Sequence, residues 1–293
     1  AGSSLRDALA SHPTIFSPLF VSMVGAGEES GKLPESLGII AEQMEKSYEL
    51  RRKVRGAMIY PAVIVCVIIL IGILMMIYVV PTLTATFKDL NVELPLSTRF
   101  VIGVSDFISA HPLLVLLGFP FLLFVLFSAV HTGLGKRITD RLSVRLPLIG
   151  PIVHKVNSAT TMRTLSSLIS SGVPMLEALH ITREVLQNSE YRVIIDRARA
   201  AVEKGRTLSS VLKQEERLYP VLVGELAAVG EETGDLPGML MKGALFYEKE
   251  VDQITKNLST IIEPVLMVVI GIAVGFFAIA MLSPMYSLTD AIK

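Results

Sequence analysis

Cysteine and charge are both scarce in this chain of 293 residues, and each scarcity excludes a class of protein. Cys66 is the only cysteine, so a disulfide framework cannot hold the fold together. Charged residues make up 18% of the chain, against about 25% in a typical soluble domain. The 27 basic residues balance the 27 acidic ones, which excludes a nucleic-acid binder that depends on excess positive charge.

The sequence also lacks the motifs of common enzyme sites. Its five histidines form no HExxH pair, and it contains neither a GxxxxGK[ST] phosphate loop nor a GxSxG nucleophile elbow. The chain is therefore not expected to hydrolyse ATP itself. We expect no catalytic residue, no cofactor, no bound metal and no enzyme activity.

Charged side chains are absent from three long runs. These runs lie at 56–87, 107–135 and 264–289. Each run exceeds the roughly 20 apolar residues that a helix needs to cross a bilayer. The sequence therefore predicts three transmembrane helices at about 58–80, 113–130 and 261–283. No cleavable signal peptide is expected, because residues 1–20 have no apolar core.

Lysine and arginine near the ends of the predicted spans indicate their orientation. Basic residues are dense before the first span, at 46–55, and after the second, at 136–145, whereas the 81–112 connection holds only Lys88 and Arg99. The positive-inside rule then places the segments before the first span and after the second in the cytoplasm. The 81–112 connection and the C-terminal tail are expected outside.

Two parts of the chain repeat each other without a gap. The octapeptide GEESGKLP at 27–34 recurs 203 residues later as GEETGDLP at 230–237. The same offset matches further pairs along both copies: Gly2 with Gly205, Leu37 with Leu240, Pro61 with Pro264, and Gly72 with Gly275. The repeat unit is thus a cytoplasmic helical domain followed by a membrane helix. Both copies cross in the same direction, which requires the additional crossing at 113–130.

Helical spacing of apolar residues between proline and glycine breaks, with no strand-like alternation, predicts an all-α fold. We expect an all-α membrane protein with two repeated cytoplasmic helical-bundle domains and three transmembrane helices. The predicted order is a first cytoplasmic domain at 1–57, spans at 58–80 and 113–130 around an extracytoplasmic connection at 81–112, a second cytoplasmic domain at 131–260, a span at 261–283, and an extracytoplasmic tail at 284–293. The first domain is expected to be truncated at its N-terminus or processed, because residues 151–204 have no counterpart before Gly2.

The repeated acidic turns are the candidate sites for partner contact or coupling. They contain Glu28, Glu29 and Gly31 in the first copy, and Glu231, Glu232 and Gly234 in the second. Adjacent carboxylates are suited to bind a partner or a cation, although the regular oxygen spacing of a calcium loop is missing. The alternative is structural, with glycine ending one helix and leucine anchoring the next.

Proline and small residues in the predicted spans are candidates for close packing of membrane helices. These residues are Pro61, Gly72, Pro264, Gly271 and Gly275. Glu263 lies at the edge of the third predicted span. We expect it to complement the N-terminal dipole of that helix and anchor it at the interface, while a functional role is the alternative.

The GEE[ST]GxLP repeat, the stretch SGVPMLEAL at 171–179 and the three-span layout together resemble the type II secretion system F family. This family contains platform proteins of type IV pili and of type II secretion systems. The resemblance covers essentially the whole chain. It implies a multi-pass protein of the inner (plasma) membrane whose large domains are cytoplasmic.

The resemblance also implies a function and a set of partners. A platform protein of this family would couple a hexameric cytoplasmic assembly ATPase to the insertion of pilin or pseudopilin subunits into a filament. The implied partners further include other inner-membrane assembly components, membrane lipid and copies of the same chain, but no nucleic acid. Two alternatives stay open, namely a membrane transporter of small substrates and a passive scaffold that localises the ATPase.

Overall fold

The computed structural model of this chain describes residues 4–89, 94–111, 132–147 and 149–291, together with six isolated positions between 114 and 128. Every regular element in these ranges is a helix, which confirms the predicted all-α class. Twelve of the 18 residues of the predicted second span at 113–130 lie outside the described residues, so the layout with three spans stays a prediction.

Twelve helices lie within the described residues, with a π-helical turn at Met75–Val79 and a 3₁₀ turn at Lys213–Glu215. Their bounds are α1 Leu5–Ala10, α2 Pro18–Glu29, α3 Leu33–Leu74, α4 Val80–Asp89, α5 Leu96–Ala110, α6 Gly133–Arg145, α7 Gly150–Ser170, α8 Met175–Val185, α9 Ser189–Glu203, α10 Leu208–Leu212, α11 Val221–Thr233 and α12 Leu236–Ala291.

The chain divides into two compact units. The head unit comprises residues 1–55 and 130–255, and the apolar unit comprises residues 56–129 and 256–293. Both acidic turns belong to the head unit. The sequence suggested one bundle for each copy, whereas residues of both copies contribute to this single unit.

One hydrophobic core extends through the head unit, with α7 at its centre. Met162, Leu165 and Leu168 on α7 are fully buried, and they belong to the same cluster as Met23 and Ile40 of the first copy. Burial of each such side chain stabilises the fold by about 1.5–3 kcal/mol relative to exposure. The first copy is therefore held to the second by shared apolar contacts.

At the start of α9, Ser189 would be a suitable helix cap by residue type. Asn188 is the N-cap instead, and its side-chain oxygen accepts a hydrogen bond from the Glu190 N–H at 2.9 Å. The Asn188 backbone is extended, as an N-cap requires, and asparagine caps helices at least as well as serine. Ser189 is the first helical residue.

The two long helices of the repeat contain stretches that suit a membrane. By length and composition, Leu33–Phe87 and Leu236–Leu282 could each cross a bilayer, and only 6% and 11% of their most apolar windows are buried. A core helix of a soluble protein would be mostly buried. The first and third predicted spans, at 58–80 and 261–283, fall within these stretches.

Both long helices continue through an internal proline. Pro61 lies inside α3 and Pro264 inside α12. Because α12 is unbroken from Leu236, Glu263 does not lie at a helix N-terminus, and its expected role as a dipole cap is wrong. The favourable effect of a helix dipole on a carboxylate is confined to the first turn.

Candidate functional site

The two acidic turns share one backbone conformation. Gly31 has φ of +69° and Gly234 has φ of +75°, both in the left-handed region that favours glycine. The hydroxyls of Ser30 and Thr233 each donate a 2.7 Å hydrogen bond to the carbonyl four residues earlier. The turn therefore ends α2 and α11 in the same way, as the structural alternative proposed.

Glu28 closes the first turn onto the start of α1. Its two carboxylate oxygens accept hydrogen bonds from the backbone N–H groups of Leu5 at 2.9 Å and Arg6 at 3.1 Å. Ser4 caps the same helix and accepts from the Asp7 N–H at 3.0 Å. These contacts satisfy N–H groups that have no partner within the helix itself.

Glu231 makes the equivalent contacts in the second copy. Its carboxylate oxygens accept from the N–H groups of Leu208 at 2.6 Å and Ser209 at 3.2 Å. Thr207 is the N-cap of α10 and accepts from the Ser210 N–H at 3.3 Å. The sequence analysis missed this role, although the Ser/Thr-Leu pair precedes the glutamate by the same number of residues in both copies.

The first glycine of each motif allows close approach of two helices. A Cβ on Gly27 would lie 2.6 Å from the Cβ of Ser36, and a Cβ on Gly230 would lie 2.7 Å from the Cα of Leu236. Any side chain at these positions would separate α2 from α3 or α11 from α12. The two glycines of the motif thus serve different purposes, since Gly31 and Gly234 have open space around the Cβ position.

The second glutamate of each motif is available to solvent. Glu29 is exposed and lies 3.6 Å from the Arg6 guanidinium, and Glu232 is exposed as well. Glu28 is exposed too, so it is the backbone hydrogen bonds that separate the candidate carboxylates into two classes. Glu28 and Glu231 hold helix starts, whereas Glu29 and Glu232 present charge at the surface.

A buried arginine on α7 joins the long helices of the two copies. Arg163 forms a two-pronged ion pair with Glu248 on α12, in which its Nη2 lies 2.9 Å from Oε2. Its Nη1 lies 3.7 Å from Glu42 on α3. A buried charge requires such partners, because desolvation strongly disfavours an unpaired ion.

Neutral hydrogen bonds complete this junction between copies. Buried Gln43 on α3 donates to Thr164 Oγ1 at 3.2 Å and accepts from Ser167 Oγ at 3.1 Å. At the surface, Lys53 Nζ lies 2.9 Å from Asp252 Oδ1. The sequence analysis missed these contacts, for which the only signal was a glutamine at a position helically spaced from buried apolar residues of α3.

Two buried tyrosines anchor the centre of the second copy. Tyr191 donates to the Leu218 carbonyl at 2.7 Å, and Tyr219 Oη lies 2.9 Å from Thr161 Oγ1. Their rings meet edge-on with centroids 5.0 Å apart. Burial raises the pKa of both phenols above the ordinary tyrosine value, so they remain neutral hydrogen-bonding groups.

The head unit also contains a cleft of about 630 Å³ between α3, α6, α7 and the segment that joins α8 to α9. Arg51, Lys136 and Asp140 line it. The Asp140 carboxylate is already engaged, since its Oδ2 accepts from the Ser189 N–H at 2.8 Å. Among the described residues, no three His, Cys, Asp or Glu side chains are grouped so that they could hold a metal ion.

The three glycines among the candidate packing residues of the predicted spans have no close neighbours among the described residues. A Cβ on Gly72, Gly271 or Gly275 would have nothing within 4 Å. Pro61 is buried and Pro264 is exposed. The packing role of these five residues in membrane helices stays a prediction.

A comparison with protein families gives a match over most of the chain. The model of the family described as type II secretion system (T2SS), protein F, matches residues 1–81 and 161–284. The two matched segments end 203 residues apart, which is the spacing of the internal repeat.

Curated proteins from several bacteria are similar along the whole chain. A type IV pilus assembly protein PilC of Thermus thermophilus is 39% identical over 292 residues, which cover 100% of this chain and 72% of the relative. The Pseudomonas aeruginosa protein of the same name is 34% identical and covered to 78%. A type II secretion system protein F of Aeromonas hydrophila is 34% identical and covered to 75%. Each similarity spans 100% of this chain.

Proposed function

Because this chain belongs to the type II secretion system protein F family, we propose that it is a platform protein of the inner membrane. In this role it couples a hexameric cytoplasmic ATPase to the insertion of pilin or pseudopilin subunits into a filament. Its relatives include both type IV pilus assembly proteins and type II secretion system proteins. The proposed protein works as a homo-oligomer with other inner-membrane components, and it performs no catalysis of its own.

One observation carries this proposal, namely that each acidic turn is followed at once by a helix with a membrane-compatible stretch. Gly31 precedes α3, and Gly234 precedes α12. The helices Leu33–Phe87 and Leu236–Leu282, which are long and apolar enough to cross a bilayer, begin directly after the two turns. A displacement at either turn therefore acts on the start of a helix that continues into a predicted membrane span.

We assign partner contact to the exposed carboxylates of the turns. Glu29 and Glu232 are exposed to a basic surface of a partner, which at Glu29 would compete with the contact to Arg6 at 3.6 Å, whereas Glu28 and Glu231 each accept two backbone hydrogen bonds. A motor that pushes on Glu232 would also exert force on Gly234. The conformation of Gly234 fixes the direction in which α12 leaves the turn. Glu28, Glu231 and the two left-handed glycines are then positioning residues for this contact.

The junction at α7 supports a concerted response of the two copies. Arg163 and Gln43 join α7 to both long helices through ion pairs and hydrogen bonds. Such groups have directional contacts, so a shift of α7 changes the environment of α3 and α12 together. The platform would thus respond to the motor as one body.

Charge reversal at the exposed glutamates tests the proposal. Cells that produce Glu29→Lys, Glu232→Lys or the double variant should assemble few filaments, with the double variant most affected. The matched control is Glu203→Lys, which reverses an exposed glutamate at the end of α9 and should assemble filaments normally. Filament number and the amount of ATPase that co-purifies with the membrane chain are both measured.

The two measurements separate coupling from passive scaffolding. Loss of filaments with retained ATPase supports coupling through the turns, whereas parallel loss of both favours a scaffold that only recruits the motor. Normal filament number in the double variant, at normal membrane levels of the chain, would overturn the assignment of Glu29 and Glu232. Flux of a small solute through proteoliposomes of the purified chain would favour the transporter.

A further inference from the structure

We propose that α5 is an interfacial membrane helix, with one side in the acyl region of the lipid and a charged edge in water. This helix lies in the segment 81–112, which the sequence analysis assigned to an extracytoplasmic connection. The proposal concerns a lipid contact and does not depend on the proposed role in filament assembly. It rests on three features of α5 within the apolar unit.

The first feature is an outward-facing apolar stripe. Leu96 is 84% exposed and Phe100 is 66% exposed, and both are among the most exposed large apolar residues of the chain. At 3.6 residues per turn, Val104 and Phe107 continue the same face and are also exposed. In water, four such side chains along 15 residues would form an unfavourable apolar surface.

The second feature is an inward face that carries small polar residues. Thr98 and Ser105 are fully buried, seven residues apart, on the side opposite the stripe. The Thr98 hydroxyl donates to the Ala280 carbonyl of α12, and the Ser105 hydroxyl donates to the Met76 carbonyl at 2.5 Å. Small polar residues that face neighbouring helices, with large apolar residues outside, are typical of helices packed within lipid.

The third feature is a separate charged edge. Arg99 and Asp106 are exposed, seven residues apart, so they lie on one line along α5. This line runs between the buried face and the apolar stripe. Complete immersion of α5 would place both charges in hydrocarbon, which is strongly unfavourable. A helix at the interface, with its apolar side about 5–10 Å into the lipid, keeps both charges hydrated.

The lipid contact is continuous with the surfaces that the neighbouring elements expose. α5 shares a small core with Val80 and Ala280, each of which lies in one of the two helices suited to cross a bilayer. Beside this core, Tyr78 and Ile279 are highly exposed on segments suited to cross a bilayer. The same lipid that covers those residues would cover Phe100 and Phe107.

The chain contains no tryptophan, so a single substitution introduces a unique fluorescent reporter. Phe100→Trp and Phe107→Trp are conservative changes at exposed positions. The full chain is reconstituted in phosphatidylcholine vesicles with or without brominated acyl chains, and quenching by aqueous acrylamide is measured in parallel. Phe276→Trp on the exposed face of α12 is the lipid reference, and Asp106→Trp reports on the charged edge.

The expected result is that Phe100→Trp and Phe107→Trp behave as Phe276→Trp does. Their emission should lie at shorter wavelength than that of Asp106→Trp, should be severalfold more strongly quenched by brominated lipid, and should be only weakly quenched by acrylamide. Strong acrylamide quenching without lipid quenching would place the stripe in water and overturn the proposal. Weak quenching by both agents would mean that protein, such as a second copy, covers the stripe, and would overturn it equally.

Discussion

The two acidic turns have the same local geometry in different surroundings. Leu5 at the start of α1 is 41% exposed, whereas its counterpart Leu208 at the start of α10 is fully buried. Helix α1 buries none of its residues, whereas α10 buries four of its five. The repeated motif therefore determines the turn itself, and the helices packed around each copy determine how strongly the fold depends on it.

The difference arises from the segment that precedes the second copy. Helices α7–α9 come before α10, and α9 packs against it. Because hydrogen bonds and charges gain strength away from water, equivalent substitutions should have larger effects in the second copy.

The largest expected loss of unfolding free energy concerns the ion pairs of Arg163, which has one carboxylate partner from each copy. Glu248→Gln leaves the buried guanidinium without its two-pronged partner and should cost about 3–5 kcal/mol of unfolding free energy. Glu42→Gln removes a contact at 3.7 Å from a side chain that is 66% exposed, and should cost less than about 1 kcal/mol. Urea unfolding in detergent, followed by circular dichroism, measures both.

A double substitution provides the control for this ion pair. Arg163→Met with Glu248→Leu removes both charges and should recover most of the stability lost in Glu248→Gln. Equal losses for Glu42→Gln and Glu248→Gln would show that the two copies hold Arg163 alike, contrary to the geometry.

The next largest loss of stability is expected at one of the two capping glutamates, Glu231, and not at the other, Glu28. Glu231→Ala removes a carboxylate from two N–H groups at a buried helix start and should cost about 1–3 kcal/mol. Glu28→Ala removes the same contacts at an exposed helix, where water can replace them, and should cost less than about 1 kcal/mol. The neighbouring Glu232→Ala serves as the control and should leave thermal unfolding unchanged.

The third prediction concerns the two left-handed glycines, whose substitution should lower the stability by the same amount in both copies. Gly31→Ala and Gly234→Ala each force an L-residue into the left-handed region at a site with free space for a Cβ. The cost is then confined to the backbone and should be about 1 kcal/mol in both copies. A clearly larger loss for Gly234→Ala in the same unfolding assay would show that packing, rather than backbone conformation, limits the second turn.

The local structure of each copy could be predicted from the sequence, but the contacts between copies could not. A glycine after a helical run indicates a left-handed helix end, so the conformations of Gly31 and Gly234 followed from the motif. The capping role of Glu231 depends on a segment 23 residues earlier that returns to the turn. Periodicity reveals which face of a helix is buried but not which helix covers it, which is why the partners of Gln43 were missed.

The smallest change in stability at neutral pH is expected from the substitution of a tyrosine that only the second copy has. Tyr247 corresponds to Met44 in the first copy, and burial together with the carboxylate of Glu250 raises its pKa to about 12. Its stabilising contribution is complete below the unfolded pKa of about 10 and is lost as pH rises from 10 through 12. Tyr247→Phe should weaken this alkaline loss of stability, measured by thermal unfolding between pH 8 and 12. An identical alkaline profile in this variant would contradict the assignment.

The central claim is that both acidic turns lie on one side of the membrane and belong to one mechanical body. The test uses two variants with a single cysteine, Glu29→Cys and Glu232→Cys, each in a Cys66→Ser background. Each variant is labelled with a membrane-impermeant maleimide. Both positions should react in inside-out vesicles and stay unreactive in right-side-out vesicles or intact spheroplasts. Labelling of the two positions from opposite faces would contradict the account.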